Sequence, residues 1–219
     1  MTTSAQHTTQ ESTVAAWTHA LGEPIGAPGG GAGAGVMLAI AASLTSMVAG
    51  YTEPKADQDQ QLHGVLTRAQ KRRELALQLA DDDAAASQAF GAAFKRERGT
   101  ERDKAIRQAS VEAAESSATL GEHAVAAIDD LTWLSEHGNR ALIADVVVAF
   151  GALRAAVAGA RTNVSFDLGT LRASGLNMDE IRKQHPDLWA TVHRFDDALA
   201  RIDAATRAID DRAAPTNER

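Results

Sequence analysis

Two carboxylates stand where a helix should be apolar. Asp83 lies seven residues after Ala76 and seven before Phe90, on a seam of Leu62, Leu66, Ala69, Ala76 and Phe90 that also holds Arg73. Asp145 falls between Ala141 and Val148, on a stripe continued by Ala152, Ala155 and Gly159. Burying a charge costs several kcal/mol unless it is paired. Such a carboxylate is therefore either salt-bridged or engaged in acid–base work. Neither has a lysine or arginine four residues away: Asp83 meets Leu79 and Ser87, and Asp145 meets Ala141 and Ala149. Asp81 and Asp82 point about 200° and 100° away from Asp83 on a helical wheel, so at least one of the three is solvated. Asp81 stays a candidate beside Asp83.

The second feature is Gly22 to Gly35, with seven glycines and two prolines in 14 residues. Backbone amides of a glycine-rich loop entering a helix can hold an anion. No Gly-Lys-Ser/Thr follows, and no strand precedes, so neither nucleotide version of such a loop fits. The other reading is that the small residues let helices approach closely. The seven histidines show no metal-ligand spacing, and no Gly-x-Ser-x-Gly is present. Six basic residues, Lys95, Arg96, Arg98, Arg102, Lys104 and Arg107, interleave with Glu97, Glu101 and Asp103. They form either a self-paired surface or a landing site for a multiply anionic ligand.

The elements that must position these residues follow from composition. The chain has 219 residues, 46 of them alanine, and only 5 prolines. Alanine is the best helix former, so an all-α bundle with long helices and close contacts is expected. Cysteine is absent, which excludes disulfides, thiolate metal sites and a cysteine nucleophile. A net charge of −7 without a long basic run argues against general nucleic-acid binding. No secretory signal pattern opens the chain. The apolar stretch Val36 to Val48 falls short of the ~20 residues that span a bilayer. A cytoplasmic protein is expected.

One domain is expected over 12–212, between disordered tails at 1–11 and 213–219. Helices are expected from Ser12 to Leu21, Val36 to Gly50, Asp57 to Lys95, and Thr100 (as N-cap) to Glu136. Another runs from Arg140 to Arg161. Asn163 to Leu168 alternates and reads as an extended connector. Asn177 caps a short helix and Pro186 starts the last, whose seam is Leu188, Val192, Phe195, Leu199, Ile202 and Ile209.

Three segments together resemble the formiminotetrahydrofolate cyclodeaminase/methenyltetrahydrofolate cyclohydrolase family. They are Pro28-Gly-Gly-Gly-Ala-Gly-Ala-Gly35 running into a helix that ends Ser46-Met-Val-Ala49, then Asp81-Asp-Asp-Ala84, then Gly138-Asn139 with Asp145 to Ala149 and Gly159 to Val164. The resemblance implies a homodimeric, metal-independent, cyclodeaminase-like helical domain. It implies a folate cleft near the glycine-rich loop and the subunit interface. Asp83, Asp145 and Asp81 become the candidate catalytic residues. Pro28, Gly29, Gly30, Gly31, Ala32, Gly138, Asn139 and Asn163 become the candidate folate contacts. The family carries a serine where this chain has Ala32 and another where it has Ala144, so two hydroxyls that could hold a water are missing.

Three functions follow from the resemblance. The first is a cyclohydrolase or cyclodeaminase acting on 5,10-methenyl- or 5,10-methylene-tetrahydrofolate. The second transfers that one-carbon unit to a carbon nucleophile, free or carrier-bound, in a Mannich-type step. The third is a non-catalytic folate-binding or dimerisation module.

Overall fold

The computed structural model describes residues 8–55 and 57–214, without the side chains of Ala173 and Ser174. Residues 1–7 and 215–219 of the expected tails lie outside the described residues. Eight α-helices follow in order: α1 (Val14–Gly22), α2 (Gly30–Gly50), α3 (Asp59–Phe94), α4 (Thr100–Val125), α5 (Ile128–His137), α6 (Ile143–Thr170), α7 (Met178–Gln184) and α8 (Pro186–Ala213). Short 3-10 turns precede and follow α6. No strand occurs among the described residues.

Helices α2 and α6 form the centre, with α3 and α4 packed beside them and α8 against α6 and α4. Phe150, Phe195, Leu38, Leu153 and Val157 are fully buried. Small residues set the spacing. A Cβ on Gly35 would stand 2.8 Å from the Ala80 methyl, so α2 and α3 meet almost backbone to backbone. Gly121 of α4 leaves room for the Phe195 ring of α8. The α8 seam is confirmed at Leu188, Phe195, Ile202 and Ile209, all buried, with Val192 and Leu199 half-buried. Asn177 caps α7 in a reciprocal capping box with Glu180.

Several expectations are corrected. Helix α2 begins at Gly30, inside the glycine run, and is 21 residues long. Asn163 to Leu168 is no connector: α6 continues through it to Thr170. Val164 and Leu168 extend the buried row of Val157 and Ala160, so tertiary burial overrides their local β preference. The helix expected to end at Glu136 breaks at Ala126–Ala127. Gly99, not Thr100, is the N-cap of α4. Arg73 is exposed and Arg72 is the buried arginine of α3. Residues 8–11, assigned above to the tail, form a hydrogen-bonded turn whose Thr9 N–H donates to Asp81 at 2.6 Å. Helix α1 beyond it buries none of its residues.

Candidate active site

The start of α2 needs glycine for a reason outside the helix. A Cβ on Gly31 would collide with the Asp83 carboxylate of α3. The first amides of a helix lack intrahelical partners, and here Asp83 accepts the N–H of Ala32. Asp83 thus caps α2 from another helix, at the positive end of its dipole. Asp83 is 7% exposed, and its Oδ2 has no hydrogen-bond partner. Burial pushes its pKa above the usual carboxylate range, and the Ala32 N–H only partly opposes this.

A second carboxylate shares the site. Asp167, near the end of α6, has its pKa pushed up to about 7 by burial and then by the charge of Asp83. The Asp83 charge thus opposes ionisation of Asp167, an environment that suits a carboxyl for proton transfer. Asp167 escaped sequence reasoning because its segment reads as extended. Treated as helix, it falls three residues after Val164 and one turn after Asn163, beside the buried row.

The other candidates separate into two groups. Pro28, Gly29, Gly30, Gly31 and Ala32 lie at or just before the α2 terminus, with Asp83. Asn163 is half-buried on the side of α6 that carries Asp167. Asp81 is occupied by the Thr9 N–H, and exposed Asp82 accepts from Gln78. Asp145, in the first turn of α6, is 22 residues from Asp167, about 33 Å along the helix. Gly138 and Asn139 lie at that far end too. The Asn139 N–H donates to Thr52 Oγ1 at 3.1 Å, and its Nδ2 donates to the Tyr51 carbonyl at 3.1 Å. Within one chain, then, Asp83 and Asp145 do not share a site. The stripe that holds Asp145 is largely exposed, at Ala141, Val148 and Ala155.

The basic segment borders a cavity of about 350 Å³ between the end of α3 and the start of α4, lined by Arg96, Lys104, Glu101 and Glu112 among alanines. Arg102 donates to the Phe94 carbonyl.

Gly31→Ala tests the packing of the site. The added methyl displaces the Asp83 carboxylate, and misplacing a reacting group by ~1 Å lowers turnover by up to about 10²-fold. Alanine also favours the helix, so melting should change little. Unchanged turnover would remove Asp83 from the reacting centre.

The sequence model of the family described as formiminotransferase-cyclodeaminase matches residues 13–184. No curated protein matches the chain. Among solved structures, formiminotetrahydrofolate cyclodeaminase from Thermotoga maritima aligns with a TM-score of 0.75 and 21% identity, over 92% of this chain and 95% of that one.

Proposed function

The chain belongs to the formiminotransferase-cyclodeaminase family, and from that premise we propose that it is a homodimeric cytoplasmic enzyme acting on 5,10-methenyl- or 5,10-methylene-tetrahydrofolate. The observation that carries this reading is the coupled pair Asp83–Asp167 at the glycine-built end of α2. The carbon of a methenyl adduct is an amidinium-type cation. An ionised member of the pair stabilises that cation and takes a proton from the attacking water as the C–O bond forms. The protonated member then gives its proton to the departing nitrogen as the C–N bond breaks. Ammonia loss from a formimino adduct needs the same two proton transfers in a ring-closing sense.

A second reading rests on Ala32 and Ala144. The resemblance assigns serines to both positions. Ala32 is fully buried beside Asp83, so the site lacks a hydroxyl to hold water there. A drier site favours transfer of the one-carbon unit to a carbon nucleophile, free or carrier-bound, whose C–H proton the pair would accept. A non-catalytic folate-binding module is the third reading.

Titration with tetrahydrofolate and its methylene and methenyl forms, followed by absorbance of the methenyl form, separates these readings. Binding with loss of absorbance supports hydrolysis. Binding with stable absorbance moves the reading to carbon–carbon bond formation or to a binding module, which product analysis with candidate nucleophiles distinguishes. Flat isotherms overturn the folate reading.

The cavity at Arg96 and Lys104 begins at Ala89, six residues beyond Asp83 on α3, about 9 Å along the helix. A folate's glutamate tail would lie there. Affinity is expected to rise with tail length and to fall with salt. Isotherms with mono- and polyglutamyl folates that show neither trend would return these residues to a solvated surface.

A further inference from the structure

The chain ahead of the site leaves one turn of α3 and returns to it. At one end the Thr9 N–H donates to Asp81 Oδ1 at 2.6 Å, and Gln10 Nε2 donates to Gln78 Oε1 at 3.2 Å. At the other end Gly31 lies against the Asp83 carboxylate. Asp81 and Asp83 are two residues apart, about 3 Å along the axis of α3. Residues 9–31 therefore form a loop closed on the turn that carries Asp83. Between its ends the loop touches little. No residue from 8 to 30 is buried, and Val14 is 82% and Ile25 71% exposed. Among the described residues, no hydrogen bond joins residues 11–28 to α2 through α8. A segment with so few buried contacts opens at little cost.

The link between α1 and α2 has the composition of a hinge, with Gly22, Gly26, Gly29 and Gly30. A Cβ at Gly22, Gly26 or Gly30 would meet nothing within 4 Å, and one at Gly29 only the Gly26 carbonyl at 3.8 Å. Close packing therefore does not explain these glycines, as it does Gly31 and Gly35. Gly26 has a φ of 92°, a conformation that L side chains rarely adopt. The tether at the front of α1 is equally slight. Trp17 Nε1 donates to Thr9 Oγ1 at 3.2 Å, which ties α1 back to the bonded turn. The helix, about 13 Å long, is thus held by a charge-assisted bond at its front and a glycine link behind.

What such a flap would cover is the start of α2. Asp83 is buried, yet its Oδ2 has no hydrogen-bond partner. A donor on a bound molecule would complete it, entering beside Gly29 to Ala32, where the link ends. We propose that residues 9–29 form a flap over this glycine-built site and that Asp81 is its latch. The latched flap keeps water out and a bound ligand in; the released flap swings out on the glycine link. Asp81 is then a positioning residue. Its carboxylate serves as a hydrogen-bond acceptor, not as an acid or a base. Two carboxylates of one acidic run, Asp81 and Asp83, so take different roles because they leave α3 on opposite sides. The ligand's identity rests on the folate reading above; the latch does not.

Removing either partner of the latch tests it. Asp81→Ala deletes the acceptor. Thr9→Pro deletes the donor, since proline has no N–H, and the Trp17 bond with it. Neither position is buried, so folding should survive, which melting checks. In each variant, amide exchange across residues 10–22 should quicken by about tenfold, the effect of one such bond, with exchange in α2 to α8 unchanged. KM for the methenyl folate should rise by a similar factor while kcat changes by less than about twofold. The double variant should add nothing to Thr9→Pro alone. Asp81→Asn, which keeps an oxygen acceptor, should restore most of both. Unchanged exchange in both single variants overturns the latch. Equal loss of kcat in Asp81→Ala and Asp81→Asn, with Thr9→Pro unaffected, makes Asp81 an acid–base group and overturns the positioning role. Faster exchange with unchanged KM overturns cover of the site. If the unmodified protein turns over no folate, the folate reading fails instead, and a folate-free probe decides the flap. The chain has no cysteine, so the labelling rate of Gly29→Cys by a bulky thiol reagent is unambiguous. That rate should rise when Asp81→Ala is added, and an unchanged rate overturns the flap.

Discussion

Asp83→Asn is expected to lower turnover of the one-carbon folate by about 10²-fold or more while leaving the protein at least as stable at neutral pH. Asparagine keeps a side-chain oxygen to accept the Ala32 N–H, so the cap on α2 survives. What it removes is the negative charge and the capacity to take a proton. In the folded chain both carboxyls bind protons more tightly than the ordinary value of 3.8, chiefly through burial. A folded pKa raised above the unfolded one stabilises fully below about 3.8, and that contribution is lost as pH rises. For Asp167 the loss is complete once pH passes about 7. The charged pair therefore destabilises the native state at neutral pH, and the neutral amide relieves part of that cost. Removing the Asp83 charge also removes one cause of the high Asp167 value, so the pH–rate limb belonging to Asp167 should move to lower pH. Rate per folded molecule, melting temperature and the pH profile test the three statements separately. A large fall in stability with unchanged turnover would make Asp83 a structural cap and nothing more.

The burial of Asp83 was legible because a charge on an otherwise apolar helical seam is anomalous under any packing. The same argument misplaced Asp145, and the reason is instructive. α6 is apolar almost all round, so the sequence offers two stripes of equal quality. The chain buries the one through Val146, Ala149, Leu153, Val157 and Val164, and leaves the one through Ala141, Val148 and Ala155 outside. Only neighbouring helices decide between them. The start of α2 was hidden for a related reason. Glycine is a poor helix former, but Gly31 and Gly35 are what Asp83 and Ala80 require for close approach. Asp167 was hidden because β-branched alternation over six residues outweighs, locally, a helical row that is evident only with Ala160, Val164 and Leu168 already known to be buried. The last helix was plain, since α8 has one apolar seam and a strongly charged remainder, and Pro186 marks its first residue.

The largest stability effect is expected at a residue outside the site, Asp130→Ala. Asp130 is 4% exposed in the first turn of α5. Its Oδ1 accepts from Arg68 Nη2 at 2.7 Å and Nε at 3.0 Å, and its Oδ2 accepts from Arg72 Nη1 at 3.1 Å. Arg72 is itself buried and also donates to the Ala126 carbonyl. That carbonyl lies where α4 stops and α5 starts, a break with neither glycine nor proline to mark it. One carboxylate therefore pins the long helix α3 to the corner between α4 and α5. Alanine would leave the Arg72 guanidinium buried and unpaired, a loss of about 3–5 kcal/mol. By contrast, exposed bridges such as Arg154–Asp203 and Arg201–Asp129 are each worth about 1 kcal/mol or less. Denaturant unfolding measures the difference. The double change Asp130→Leu with Arg72→Met should recover much of the loss, because it removes the stranded cation together with its partner. A single variant within about 1 kcal/mol of the unmodified protein would show that water or a rotated Arg72 satisfies the cation. The corner of α4 and α5 would then be held by the packing of Ile128 and Leu131 rather than by the ion pair.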